Sequence, residues 1–318
     1  MFSCREDIYE ETSTEKVFEV VWNTLDKKYC FFDEKDVDWN EVHERYLSKI
    51  DKITEPDSLF YLIGEMICEL RDGHVNLYSS RDIIRYWKWY KDYPENFNDV
   101  IEKIYLGDNY KISSGLRYKL LSDSIGYITY RSFSSGISES GLDYILESFK
   151  KSPGIIIDIR NNSGGDLSNV QKLASRFTEI TTISGYISHK TGSGHNDFSE
   201  LFPIELEPSE RNRTTQKIVV LTNRSCYSAA NAFASTMKQL PNVTLIGDKT
   251  GGGGGFPLNF ELPNGWILRL SSCAMYDETK SLIESGIAPD YYVNLDRKDI
   301  EKNVDTIIEA ARKFLKGN

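Results

Sequence analysis

Apolar residues recur three and four apart in VFEVVWNTL, VDWNEVHERYLSKI and PDSLFYLIGEMICEL, so the stretch from Glu15 to Leu70 is expected to be a small helical unit. Pro56-Asp57-Ser58 supplies a helix start, with proline in or near the first turn beside a capping side chain. Asp72-Gly73 then signals a turn, and Val75 to Tyr78 alternates as a short strand would. From Ser80 to Leu116 the chain is rich in aromatic and charged residues, and no period decides its structure. Beyond it, SIGYITYRSF, GIIIDIR, IVVLT and VTLIGDKT have strand character, separated by helical patterns near GLDYILESFKK, LSNVQKLASRFTEI and the residues after Ser228. This alternation predicts an α/β core with substantially parallel strands buried on both faces. FELPNGWILRLSSCAMY is expected to form a hairpin and VDTIIEAARKFLKG the last helix, and the only low-complexity tract is Gly251 to Gly255.

Composition narrows the class. The 318 residues allow a sizeable core and two structural units, and 40% hydrophobic with 27% charged residues is ordinary for a globular protein. A net charge of −10 without any basic block argues against nucleic acid as the main partner, because phosphate binding needs a basic face. Five cysteines, at 4, 30, 68, 226 and 273, give neither a disulfide framework nor a CxxC metal spacing. No apolar run approaches the roughly eighteen residues of a membrane helix, so the chain is expected not to span a membrane. The opening MFSCREDIYEE looks like the end of a bacterial lipoprotein signal. On that reading Cys4 carries a lipid anchor outside the cytoplasm, periplasmic or at the outer membrane, after removal of an upstream apolar segment; the alternative is an incidental cysteine in a terminal stretch.

Candidate chemistry sits at the ends of the strands. NRSCYSAANAF follows a buried strand and opens a helix whose apolar positions Ala229, Ala232, Phe233, Met237 and Leu240 share a face. Ser228 at that helix start meets unsatisfied amides and a positive helix end, a setting that suits an N-cap and equally a nucleophile. If Ser225 caps the helix, Ser228 is left for other work. Of four histidines, His43 is expected on a solvated helix face and His189 and His195 flank the loop HKTGSGH; His74 stands on a turn between a helix and a strand, which suits a general base or a structural histidine. In NNSGGD, residues 161 to 166, Gly164 and Gly165 form either an anion or oxyanion site or a tight turn. GxGxxG is absent and GDKTGGGGG is not a P-loop, so nucleotide binding is not expected. Glu284, before a Gly-Ile-Ala-Pro-Asp turn, would alone pass for a surface carboxylate.

Together LRDGHVNL, IGYITYRSF, GIIIDIRNNSGGD, VVLTNRSCYSAANAF, TLIGDKTGGG and ESGIAPD resemble, in order, the tail-specific (carboxyl-terminal processing) serine peptidases, and more closely their tricorn-core and interphotoreceptor-retinoid-binding-protein branch. The resemblance implies a crotonase/ClpP-like α/β core built of ββα units with an N-terminal helical subdomain. It implies Ser228 as nucleophile, His74 as base, Glu284 as the carboxylate that orients the imidazole, and an oxyanion hole from the Ala229 N–H with one from Gly164 or Gly165. Peptides or unfolded protein segments would be the substrates, with no cofactor or metal. The lysine that other relatives carry in a GKG turn is Gly253 here, which excludes that dyad, and Lys249 lies near in sequence. A serine that can precede the histidine is Gly73 here, and the residue after the nucleophile, Ala229, implies no preference for basic side chains. The span between the His74 strand and SIGYITY is too short for the PDZ module of many relatives. The expected division is residues 1–78, a connector 79–118 and a core 119–318. A non-catalytic binding protein on the same fold, like the retinoid-binding relatives, and a crotonase-like thioester enzyme are the alternatives.

Overall fold

The structure is a computed structural model describing residues 13–53, 55–91 and 93–317. In chain order these form α1 (Thr14–Lys28), α2 (Phe32–Lys35), α3 (Trp39–Ile50), α4 (Pro56–Cys68), β1 (Asn76–Tyr78), β2 (Ile83–Arg85), α5 (Lys88–Lys91) and α6 (Asp99–Leu106). Next come β3 (Lys111–Ser113), β4 (Leu116–Leu120), β5 (Gly126–Tyr130), α7 (Glu139–Ser148), β6 (Ile155–Asp158), α8 (Leu167–Ala174), β7 (Thr182–His189) and β8 (Phe202–Leu206). The chain finishes with β9 (Ile218–Thr222), α9 (Ala229–Lys238), β10 (Val243–Gly247), β11 (Gly255–Glu261), β12 (Ile267–Tyr276), β13 (Tyr291–Tyr292), α10 (Arg297–Ile300) and α11 (Thr306–Lys316).

Two compact units result. The first takes the residues up to Trp89 together with Ser188–Glu200 and Gly255–Ala274, so it is discontinuous in sequence and does not end at residue 78. Strand pairing is the reason: β1 pairs antiparallel with β2 on one side and with β12 on the other, and β12 pairs with β11 across the turn at Leu262–Trp266. Long-range ladders of this kind are invisible to a reading that moves along the chain. Helices α1, α3 and α4 bury the predicted stripe of Val17, Phe18, Val21, Leu25, Val42, Tyr46, Ile63 and Met66. Capping side chains set the entries of two of them, Ser13 for α1 and Asp38 for α3.

The second unit holds a seven-stranded sheet in the order β13-β10-β9-β6-β5-β4-β3. The five strands from β13 to β5 run parallel, whereas β4 and β3 add antiparallel. Every residue of β6 and β9 is buried, as continuous apolar runs predict for a sheet covered on both faces. Ile155, Ile157 and Val220 point into one core with Leu173 of α8 and Phe233 of α9. Ile156, Val219 and Leu221 point into a second core with Ile307, Ile308 and Ala311 of α11. The span from Ser80 to Leu116 folds into short pieces, β2, α5, α6 and β3, with no inserted domain among the described residues. The pattern LSNVQKLASRFTEI gives a helix only to Ala174, followed by a 3₁₀ turn at Ser175–Phe177 and the strand β7.

Beneath the sheet ends lies a buried charge cluster. Arg160, fully buried, donates to Asp158 at 2.7 Å and to Asp305 at 3.0 Å, and Arg131 reaches Asp158 and Glu102. These guanidiniums hold the Asp158 carboxyl far below the usual range against the opposing effect of burial. The strand β6 is thereby anchored at Asp158, three residues before the NNSGGD loop begins.

Candidate active site

Strand β9 ends at Thr222, and six residues later the chain turns into α9 at Ser228. Asn223, fully buried, sets the turn: its Oδ1 accepts from the Asn161 N–H at 2.9 Å and its Nδ2 donates to Asn161 Oδ1 at 2.7 Å. Tyr227 N–H donates to Asn162 O at 3.1 Å, so the elbow is tied to the NNSGGD loop. Ser228 takes φ 57° and ψ −122°, a left-handed conformation rare for a residue with a Cβ, and its side chain makes no capping hydrogen bond. Ser225 does not take that role either, since Ser228 itself occupies the N-cap position. A half-buried hydroxyl is therefore presented on a strained strand-to-helix elbow at the positive end of α9.

Amides surround this hydroxyl. A Cβ on Gly164 would stand 2.7 Å from Ser228 Cβ and 2.9 Å from Ala229 N, so only glycine allows the loop to lie against the elbow. Gly164 N–H is committed to Asn162 Oδ1 at 2.9 Å, which leaves Gly165 as the open amide of the pair. Neither Gly165 N–H nor Ala229 N–H meets an acceptor among the described residues.

The five glycines are a structural strap. All of Gly251 to Gly255 are buried. Gly251 N–H donates to Cys226 O at 2.7 Å and Gly252 O accepts from Ser228 N–H at 2.9 Å, while Gly253 N–H reaches Glu284 O at 3.3 Å. Gly254 N–H then donates to Glu284 Oε2 at 2.8 Å. The strap thus connects the elbow to Glu284, a carboxylate only 5% exposed rather than a surface group. Asn231 of α9 donates to Ile283 O at 2.9 Å and accepts from Thr250 Oγ1 at 2.5 Å, fixing the same segment from the other side.

His74 belongs to the first unit, on the Asp72-Gly73 turn that the sequence marked. Its backbone N–H donates to Asp72 Oδ1 at 2.7 Å, and Asp72 Oδ2 accepts from Tyr29 Oη at 3.0 Å and Ser271 Oγ at 3.1 Å. Burial, opposed by the Asp72 charge and reinforced by Arg269, Lys35 and Arg85, depresses the imidazole to about 4. At neutral pH His74 is uncharged, the form a base requires. Asp72, 1% exposed, fixes the turn that carries His74, whereas in sequence it reads only as a turn residue; an aspartate two residues before a histidine is the available signal.

Two of the remaining histidines are held in place within the first unit, whereas His189 is exposed at the end of β7. His43 Nε2 lies 2.7 Å from Glu19 and packs on Trp22, and His195 Nε2 lies 2.8 Å from Asp26 while its ring stacks on Phe32 at 4.1 Å. Neither is the loosely held surface histidine its neighbours in sequence suggested. Among the described residues no cluster of His, Cys, Asp and Glu could hold a metal ion, and no helix is long and apolar enough to cross a membrane. Cys4 lies outside the described residues.

A covered parallel sheet, a serine elbow and a glycine-built amide pocket together define an α/β fold with a site at the strand ends. The model of peptidase family S41 matches residues 124–293, more than half of the chain, and that of the tricorn protease C1 domain matches residues 10–68. This protein belongs to peptidase family S41. It is similar to a candidate peptidase from Parabacteroides merdae ATCC 43184, 47% identical, with a TM-score of 0.92 over 96% of this chain and 97% of that one. It is 27% identical over 211 residues to the carboxy-terminal processing protease CtpA of Bacillus subtilis, covering 62% of this chain and 43% of that protein. The tricorn protease of Thermoplasma volcanium is 27% identical over 248 residues, 76% of this chain and 20% of its own length. The chain thus spans less than half of these curated relatives.

Proposed function

We propose that the protein is a serine-type peptidase acting on peptides or unfolded protein segments. Ser228 Oγ attacks the peptide carbonyl, His74 takes its proton, and Glu284 orients the imidazole and stabilises its charged form. The carbonyl oxygen moves onto the amides of Ala229 and Gly165 as it becomes an oxyanion; the leaving amine takes the proton from His74, and water releases the acyl group. Retention of the expected serine, histidine and carboxylate supports the assignment. The observation that carries it is the uncapped Ser228 hydroxyl at a strained elbow beside two unused amides.

Labelling with a fluorophosphonate, read by intact mass, tests the reading. Wild type and Lys249→Ala should gain the adduct, and Ser228→Ala and His74→Ala should not. Absence of labelling in a folded wild type would favour a non-catalytic binding protein. An extracytoplasmic location with a lipid on Cys4 is part of the proposal, resting on the Ser3-Cys4 sequence and its acidic continuation. Metabolic labelling with a fatty acid should mark the wild type expressed from its full natural gene and leave Cys4→Ser unmarked.

A further inference from the structure

Helix α8 begins two residues after Gly165, and α9 begins immediately after Ser228 at the elbow. Between them lies a cavity of about 260 Å³ within the second unit. Three of its wall residues are fixed to groups already described. Leu167 follows Gly165 by two residues, Ala232 lies one helical turn beyond Ser228 on the same face of α9, and Ile283 immediately precedes Glu284. Val170, Ile204 and Met275 add to the apolar wall, Ser168, Gln171, Ser184, Ser235 and Thr236 contribute uncharged polar groups, and no carboxylate or basic side chain lines the cavity.

Resting on the serine-peptidase reading, we propose that this cavity is the specificity pocket: it receives the side chain of the residue whose carbonyl Ser228 attacks, and selects a large apolar one. The argument is positional. A carbonyl held by the Ala229 and Gly165 amides places its own α-carbon at the starts of α8 and α9, so the side chain on that carbon enters the space between the helices. The cavity falls below the about 300–1,000 Å³ typical of pockets for drug-sized ligands, and suits one phenylalanine, leucine or methionine side chain. Lysine or glutamate would lose hydration there without a countercharge.

Diphenyl aminoalkylphosphonates carrying the side chains of Phe, Leu, Ala, Lys or Glu test the pocket separately from the nucleophile. Ser228 Oγ forms a bond to phosphorus, phenoxide leaves, and the proton taken by His74 converts it to phenol. The Phe and Leu probes should react about 10- to 200-fold faster than the Ala probe, with Lys and Glu slowest. Ala232→Leu should reduce the Phe-to-Ala ratio at least tenfold. Met275→Ala, which opens the wall instead of filling it, should shift preference toward a naphthylalanine probe, so the test survives if Ala232→Leu does not fold. Equal rates for all five probes, or fastest reaction with Lys or Glu, while a fluorophosphonate still marks Ser228, would overturn the pocket and leave the peptidase reading intact. Failure of the fluorophosphonate to mark folded wild type would overturn both.

Discussion

Ser228 holds a backbone conformation that costs a residue with a Cβ about 1–3 kcal/mol. Ser228→Gly is therefore expected to be more stable than Ser228→Ala by about 1 kcal/mol, after allowing for the extra freedom glycine has when unfolded. Equal urea midpoints for the two variants would show that the elbow is unstrained. His74 makes the other residue-scale prediction. With its folded value near 4, the acid limb of the kcat/KM profile should lie well below the ordinary histidine value of 6.5. Asp72→Asn removes the charge that raises the imidazole, while its amide oxygen can still accept from the His74 backbone N–H that holds the turn. It should move that limb further down and lower kcat more than it changes KM. An acid limb at 6.5 in the wild type would contradict the depression of the His74 imidazole by burial.

At the scale of elements, the site depends on how α9 and the glycine strap are pinned. Thr250 Oγ1 donates to Asn231 and accepts from the Ile287 N–H at 2.6 Å, so one hydroxyl links the helix, the strap and the segment carrying Glu284. Thr250→Val would leave two buried groups unsatisfied at about 1–3 kcal/mol each, whereas Thr250→Ser keeps the hydroxyl. Valine should thus lower stability in urea and slow fluorophosphonate labelling of Ser228, and serine should restore both. If valine unfolded the protein no more easily than serine, the pinning would be dispensable. A run of glycines is ambiguous in sequence, because a flexible linker and a buried backbone layer have the same composition. At Gly252 a Cβ would collide with Glu284 O, so here glycine serves close approach, not mobility.

For the whole molecule, the buried histidine couples stability to pH. Between about 4 and 6.5 the unfolded chain binds a proton at His74 that the folded chain does not, so acidification favours unfolding. Asp72, held below its ordinary value, adds to the loss at still lower pH. The urea midpoint should fall from pH 7.5 to pH 5, and His74→Phe should flatten the part of the fall that begins near 6.5. A midpoint unchanged between those pH values would contradict the burial of a neutral imidazole.

The helices of the first unit and the parallel strands of the second were legible because local periodicity reports burial of one face or of both. Ser228 and the Asp72-Gly73 turn were legible as strand-end and turn chemistry. Burial of Glu284, commitment of the Gly164 amide to Asn162, the strap's contacts and the cavity between α8 and α9 were not. Each depends on residues far apart in the chain meeting at a few ångströms, as Gly254 does with Glu284. The discontinuous first unit has the same origin, since β12 reaches β1 from nearly two hundred positions away, Asn76 facing Arg269. The sequence by itself determined the helices of the first unit, the parallel strands of the second, the family motifs and the presence of serine, histidine and carboxylate. Only the tertiary structure decided which amides stay open, which carboxylate is buried and where a side chain could enter, because those properties belong to packed pairs and not to single residues.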